Sequence, residues 1–393
     1  MALAFIQLKR AVRLCLSMAL NLPALALAQT TTPTLPALGL NPKAVSVSGL
    51  SSGGYMAAQF EVAYSRTVMG AGIVAAGPYG CSMGSVTTAA LTCSCPYDIS
   101  DNSGPAGIMT AVSRLSCVHL PEKILSERAT SAIAGNKGHV DGISNLRKHR
   151  VWLYWGEDDP VVDPSIVKGL ARFYADARVP AVQTVSGPHA GHGMPIAADG
   201  QCQVTRSPYI NGCKIDGAGK LLSWIYKLPP STQPTADATT GSLQPFDQTP
   251  YRQKDVFDSL DKTGWLYVPK ACEQKDARCK LHVAFHGCEQ GQNFVMSNGQ
   301  PYGTIFVEQA GYNRWAESAG IVVLYPQVVP SSQINPGSAF GFNPKGCWDF
   351  WGYTTPPSDK WEFGSGLPFN RREAPQMRAV KNMIDALVAA PKP

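Results

Sequence analysis

The chain has 393 residues, of which 44% are hydrophobic and 16% charged, and its formal net charge is +6. This is ordinary globular composition, and so weak a positive charge excludes a nucleic-acid-binding signature. Beyond the N-terminus no apolar run is long enough to cross a bilayer, so no membrane partner is expected.

The N-terminus reads as an export signal. Lys9, Arg10 and Arg13 precede an apolar stretch from Leu14 to Leu27, and Ala26-Leu27-Ala28 offers a small-x-small cleavage pattern before Gln29. Removing residues 1–28 takes away three cations and no acid, which leaves +3. The expectation is a secreted protein, extracellular or periplasmic.

Ala44 to Ser48 is the first strand candidate, and it runs into Gly49-Leu50-Ser51-Ser52-Gly53. Gly53, Gly54, Ala57 and Ala58 are small where a following helix must pack against a sheet, with Met56, Phe60 and Ala63 at helical spacing. Ala71–Ala76 is the next strand. Val151–Trp155 follows and ends in Gly156-Glu157-Asp158-Asp159-Pro160, after which Val167–Ala177 is helical. Pro180–Val185 is a short strand before the loop that carries His192. Residues 229–249 are rich in Pro, Thr and Ser and read as a link. Leu281–Phe285 is a strand ending in His286-Gly287-Cys288, and Phe306, Ala310, Trp315 and Ala319 mark a helical stretch. Ile321–Pro326 is apolar on both faces, as a buried parallel strand must be. Met377, Val380, Met383, Ile384 and Leu387 recur at helical spacing near the end. Alternating strands and helices predict a mostly parallel sheet covered on both faces.

The order of the landmarks is rotated. An α/β-hydrolase places its oxyanion loop before the Gly-x-Ser-x-Gly elbow, with the acid and then the histidine after it. Here the His286-Gly287-Cys288 loop comes last. A circularly permuted α/β-hydrolase fold explains this: the final helix leads into the strand before Ser51, and segment 229–249 bridges the ordinary termini. Both halves then share one sheet, so residues 29–393 are expected to form a single domain.

Eleven cysteines are present and Cys15 lies in the signal, which leaves ten. An even number in an exported chain suggests disulfides. Cys202 with Cys213 and Cys272 with Cys279 would close short loops. Cys81, Cys93, Cys95 and Cys117 pair among themselves in an order the sequence leaves open. Cys288 with Cys347 remains. A zinc site at Cys93-x-Cys95 with His119 is the rival, but it lacks the paired spacing of structural zinc sites. Neither metal nor cofactor is expected.

A serine hydroxyl is a weak nucleophile until a histidine removes its proton, and the strained elbow presents Ser51 to such a base. Ser52 lies one place past the centre of the motif, where its amide suits an oxyanion donor better. His192, flanked by Gly191 and Gly193, fits the base, with His189 as competitor. Glu157, Asp158, Asp159 and Asp163 compete to orient the imidazole; Asp159 is the choice on spacing and Asp158 the second.

These motifs together, with Gly54-Tyr55-Met56-Ala57, Glu289-Gln290 and Gly346-Cys347-Trp348-Asp349, resemble the secreted poly(3-hydroxybutyrate) depolymerases that have one circularly permuted α/β-hydrolase domain. The resemblance covers nearly all the mature chain. It implies hydrolysis of poly(3-hydroxybutyrate) and its oligomers through an acyl-enzyme, with Ser51, Asp159 and His192 as triad. It also implies the amides of Ser52 and Cys288 as oxyanion hole, and a tryptophan, Trp348 or Trp351, against the acyl chain. The stretch from Cys81 to Cys117 is less typical and is a candidate to reshape the entrance.

Six aromatics between Phe340 and Tyr353 suit a core, but glycines, Asn343, Pro344 and Lys345 break any period and suggest a loop near the site. Exposed there, they would let the enzyme adsorb to a hydrophobic solid. The expected partners are the polymer surface and its oligomers, met by a monomer. Two other readings use the same residues: a secreted feruloyl or acetylxylan carboxylesterase, and a polymer-binding protein without catalysis.

Overall fold

Strand order decides the architecture in the computed structural model, which describes residues 32–94, 118–234, 240–274, 277–332, 340–356 and 367–391. In chain order the strands are β1 (Val45–Leu50), β2 (Val68–Val74), β3 (Arg150–Gly156), β4 (Ala181–Gly187), β5 (Met194–Ile196) and β6 (Ile210–Gly212). Then come β7 (Ser242–Asp247), β8 (Thr263–Val268), β9 (Lys280–Phe285), β10 (Ile321–Tyr325), β11 (Ser331–Ser332) and β12 (Phe342–Asn343). The main sheet runs β4-β3-β2-β1-β9-β10-β8-β7. All neighbours are parallel except the pairs made by β8, which is antiparallel to both β10 and β7.

Read from β7, this is the α/β-hydrolase sheet with the chain opened just before the nucleophile strand. The cut is visible in hydrogen bonds. The final helix Pro375–Val388 buries Met377, Val380, Met383, Ile384 and Leu387, and the segment entering β1 continues from its end. Leu38 N donates to Leu387 O at 3.1 Å and Gly39 N to Ala389 O at 2.9 Å.

Segment 229–249 is not all link. Strand β7 occupies Ser242–Asp247, so the connection from helix Gly217–Tyr226 is confined to residues 227–241. Pro245 hides this strand in the sequence, and β7 tolerates it because an edge strand has unpaired N–H positions. The helical stretch through Phe306 and Trp315 is two helices, Ile305–Gln309 and Tyr312–Ala319, broken where Gly311 takes φ +91°. The expected signal at residues 1–28, together with Cys95 and Cys117, lies outside the described residues. Cys81 pairs with Cys93, which removes Cys93 from any zinc set. Cys202–Cys213, Cys272–Cys279 and Cys288–Cys347 are disulfides as expected. No helix among the described residues is long and apolar enough to cross a membrane.

Strand β1 is buried throughout, yet it carries Ser46 and Ser48. A hydrogen-bonded chain satisfies both. Tyr226 donates to the Leu281 carbonyl, Ser46 to Tyr226, and His282 bridges Ser46 at Nδ1 and Ser48 at Nε2, all at 2.7 Å. Tyr312 closes the series on Ser48. Because Tyr226 and Ser46 each spend their proton along this direction, His282 must carry its hydrogen on Nδ1. Burial pushes its pKa down to about 3, which agrees with a neutral ring.

A different balance holds behind the elbow helix Ser52–Ala63. Its Glu61 is fully buried, accepts from Tyr174, and lies 2.9 Å from His149 Nδ1; His149 Nε2 faces the Ser65 carbonyl at 3.0 Å. Both ring nitrogens face acceptors, so the ring is an imidazolium. Burial works against that charge, but Glu61 and the Ser65 carbonyl outweigh it and the pKa is raised. A raised folded pKa stabilises below the unfolded value of about 6.5, and the gain fades as pH climbs through the folded value. Wild type should therefore exceed Glu61→Gln in unfolding free energy most near pH 6 and progressively less toward pH 9. Urea titrations across that range test this, and a gap that widens with pH would refute it.

Candidate active site

Ser51 sits between the end of β1 and the elbow helix at φ +56°, ψ −123°, a region that disfavours side chains. The surrounding glycines explain how the turn closes. A Cβ on Gly49 would lie 2.2 Å from the Gly53 carbonyl, and one on Gly53 would lie 2.4 Å from the carbonyls of Phe285 and His286. The elbow thus packs directly on the loop after β9. Ser51 N donates to Val74 O at 2.9 Å, which anchors the turn to β2. Ser52 begins the helix, where the amide has no intrahelical acceptor.

His192 and Asp159 leave the ends of neighbouring strands. Asp159 follows β3, and His192 lies on the loop after β4. Asp158 N donates to Ala190 O at 3.1 Å and so joins the two loops. His192 Nδ1 is 2.8 Å from Asp159 Oδ2, and both residues are buried. The other carboxylate oxygen accepts from the amides of Val161 and Val162 at 2.8 and 2.9 Å. An acid held by two amides and a histidine keeps the ring's second nitrogen free for work elsewhere. The competitors Asp158 and His189 instead pair with each other at 3.2 Å on the surface, where their side chains are 59% and 90% exposed. Asp163 caps helix Pro164–Asp176 through the Ser165 amide, and Glu157 accepts from Trp155. The cap and surface roles account for the remaining acids of that turn.

A cavity of about 400 Å³ brings the pieces together. Ser51, His192, Gly287 and Cys288 line it. So do Val86, Ala89 and Ala90 from the loop that the Cys81–Cys93 bridge closes, with Phe294, Met296 and Trp351 among the other walls. The cavity is apolar around a few convergent polar groups, the usual make-up of a small-molecule site.

No protein-family model matches the chain. It is 34% identical over 344 residues to the polyhydroxybutyrate depolymerase of Talaromyces funiculosus, across 84% of this chain and 89% of the relative. The chain belongs to the polyhydroxybutyrate depolymerase family. It is also 34% identical over 356 residues to the poly(3-hydroxybutyrate) depolymerase of Delftia acidovorans, and that match spans 89% of this chain but 61% of the relative. Two solved structures align at 31% identity over 90% of this chain and 98% of theirs. They are a PHB depolymerase from Penicillium funiculosum (TM-score 0.70) and a PHB depolymerase complexed with an R3HB trimer (TM-score 0.67).

The two tryptophans of this depolymerase-family site differ. Trp351 lines the cavity, whereas Trp348 is fully buried and packs on Phe285 and His286 with ring centroids 4.9 and 5.8 Å away. Trp348 therefore supports the His286-Gly287-Cys288 loop from beneath and does not line the cavity. Trp351 is held by Asp349, whose carboxylate accepts from the amides of Trp351, Gly352, Tyr353 and Thr354. Nor are the six aromatics from Phe340 to Tyr353 an adsorption surface, since none is exposed. The exposed large apolar residues include Val118, Ile124 and Val295, and Val295 borders the cavity.

Sequence reasoning gave no site role to Tyr55, Tyr209, Glu289 and Lys345. Tyr55 stacks on Phe350 at 4.3 Å, one turn along the elbow helix from Ser51. Glu289 accepts from Tyr209 at 2.7 Å and pairs with Lys345 at 2.5 Å, which joins the His192 side of the cavity to the loop after β9. Tyr55 alone had a signal, its helical spacing from Ser51; the others meet only through the fold.

Asp159→Asn should lower turnover of p-nitrophenyl butyrate by about 10⁴ and His192→Ala by about 10⁴–10⁶, as removal of triad members does. Asp158→Asn and His189→Ala should stay within about twofold, because exposed pairs contribute little. A dead Asp158 variant would move the acid by one residue. Alanine at both Cys288 and Cys347 should lower turnover of the same ester more than thermal stability, because the bond fixes the loop beside Ser51. Full activity in that double variant would make the tether purely structural.

Proposed function

We propose that the chain is a secreted serine esterase that cleaves the ester bonds of poly(3-hydroxybutyrate) and of 3-hydroxybutyrate oligomers, working as a monomer. The observation that carries this reading is that a strained Ser51 and an Asp159-bound His192 line one apolar cavity in a polyhydroxybutyrate depolymerase family member. The family relatives are named for this polymer, and one solved neighbour holds an R3HB trimer. The disulfides suit an oxidising compartment.

On this reading His192 Nε2 removes the Ser51 proton as its oxygen attacks the ester carbonyl. Asp159 holds the Nδ1–H and stabilises the imidazolium that forms. The amides of Ser52 and Cys288 take the developing oxyanion. Collapse expels the hydroxyl end of the next unit, which His192 protonates, and leaves an acyl group on Ser51. Water activated by the same histidine then releases the acid. Trp351, with Val86, Ala89 and Ala90, gives the apolar wall that an oligo-ester of short branched units needs. The relatives named for the polyester favour it over a feruloyl ester.

Clearing of poly(3-hydroxybutyrate) suspensions, run beside hydrolysis of a feruloyl ester, tests the assignment. Wild type should clear the polymer and leave the feruloyl ester nearly untouched. Ser51→Ala should lose at least about 10³ in turnover while still folding. Turnover of the feruloyl ester alone would move the chain to the carboxylesterase reading, and retention of a tenth of activity by Ser51→Ala would remove Ser51 as nucleophile.

A further inference from the structure

The loop after β9 begins at His286, and its imidazole is completely buried. Both ring nitrogens have backbone partners: Nδ1 lies 2.7 Å from the Gly287 carbonyl oxygen, and Nε2 lies 3.3 Å from the Val328 amide nitrogen. A carbonyl only accepts and an amide only donates. The ring is therefore neutral with its hydrogen on Nδ1. Burial points the same way, since it pushes the His286 pKa down to about 4.

The peptide joining Gly287 to Cys288 is planar and trans, so its N–H points opposite to its C=O. A ring that fixes the Gly287 carbonyl also fixes the direction of the Cys288 amide. The ring cannot easily turn away. Trp348 and Phe306 flank it with centroids 5.8 and 6.5 Å distant, and the Val328 amide holds its far nitrogen. Gln290 accepts from the Gly287 amide at 2.7 Å, which pins the preceding peptide as well. The buried Trp348 thus wedges the ring that orients the loop.

We propose that His286 is a positioning residue, which aims the Cys288 amide at the oxyanion through its Nδ1–H bond to the Gly287 carbonyl. The proposal rests on the reading of Cys288 as an oxyanion donor. It requires one tautomer and no charge, so it separates His286 from His192, whose proton must move during turnover.

Asn and Gln replacements separate the two ring contacts. Asn places an N–H where Nδ1 stands, and Gln reaches the place of Nε2 while losing the bond to Gly287. His286→Gln should lower kcat on p-nitrophenyl butyrate by at least tenfold, toward the roughly 10² of a lost oxyanion donor, with KM within about twofold. His286→Asn should restore most of that kcat. A second readout is the ionisation of the hemiketal that a carbonyl-13C trifluoromethyl ketone forms on Ser51, followed by NMR. An oxyanion hole lowers that ionisation in wild type, and His286→Gln should raise it by about one unit for each tenfold of kcat lost.

The outcomes separate cleanly. A wild-type adduct with no lowered ionisation overturns the oxyanion reading itself. A lowered ionisation that His286→Gln shares overturns the role of His286 alone. The nitrogen-15 shifts of His286 in the unmodified protein need no variant to fold: a protonated Nδ1 and bare Nε2 at pH 7 support the proposal, and the opposite tautomer or an imidazolium refutes it.

Discussion

Strand β1 pairs in parallel with β9, and through that one ladder residue 51 meets residue 287. The register sets Gly49 beside Phe285, so the elbow and the His286-Gly287-Cys288 loop leave adjacent strands at the same height. Everything at the site depends on this pairing, because the two strands come from opposite halves of the chain. Long-range pairing of this kind gains nothing until the whole intervening chain is closed. The ladder is correspondingly well secured. Val45, Val47, Leu281 and Val283 are fully buried, and His282 bridges the two serines of β1 across it. Gly53 completes the fit, since any side chain there would push into the carbonyls of Phe285 and His286.

Three buried histidines show how partners, more than burial, decide protonation. His149 faces a carboxylate and a carbonyl, so two acceptors demand two hydrogens. His282 stands between two hydroxyls that can each donate or accept, and the direction of the chain from Tyr312 to the Leu281 carbonyl leaves it one hydrogen. His286 has one backbone acceptor and one backbone donor, which permits a single neutral tautomer. His192 differs in kind: one nitrogen is committed to Asp159, and the ring borders the cavity. A buried ring with both nitrogens committed is a structural part, whereas one nitrogen left toward a cavity is what proton transfer requires.

Much of this was legible because β3 and β10 are buried on both faces and read as apolar runs, because β1 and β9 interrupt theirs only with Ser46, Ser48 and His282, and because β1, β3 and β9 end in chemistry-bearing turns. The rotated order of Ser51, Asp159, His192 and Cys288 carried the topology, since strand order follows once the elbow and the oxyanion loop must be neighbours. What stayed hidden lies at the edge and over the cavity. Edge strand β7 contains Pro245, and β8 opens on Thr263 and Gly264, so neither shows a strand's period. Trp348 and Trp351 sit three residues apart in an irregular loop, where spacing cannot say which points inward. Only the Asp349 carboxylate, gathering the amides from Trp351 to Thr354, turns one toward the cavity and leaves the other under His286.

Opening the chain before β1 places the His192 loop and the Cys288 loop in halves joined only through residues 227–241. Local chain continuity therefore cannot hold them together, and cross-links at the cavity rim do so. Tyr209, close behind the His192 loop, bonds Glu289, and Gln290 donates to the Pro208 carbonyl at 2.9 Å. Lys345 meets the same glutamate, and its carbonyl accepts from the Glu289 amide at 2.7 Å. The Cys288–Cys347 bond closes a separation of 59 residues, which in a chain-entropy model stabilises by about 4 kcal/mol. That is a sizeable share of the roughly 5–15 kcal/mol typical of a domain. Its position matters more than its size. A bond of equal worth elsewhere would stabilise the fold equally, but this one lies between the amide proposed for the oxyanion and the loop bearing Trp351, so stability and site geometry share one constraint.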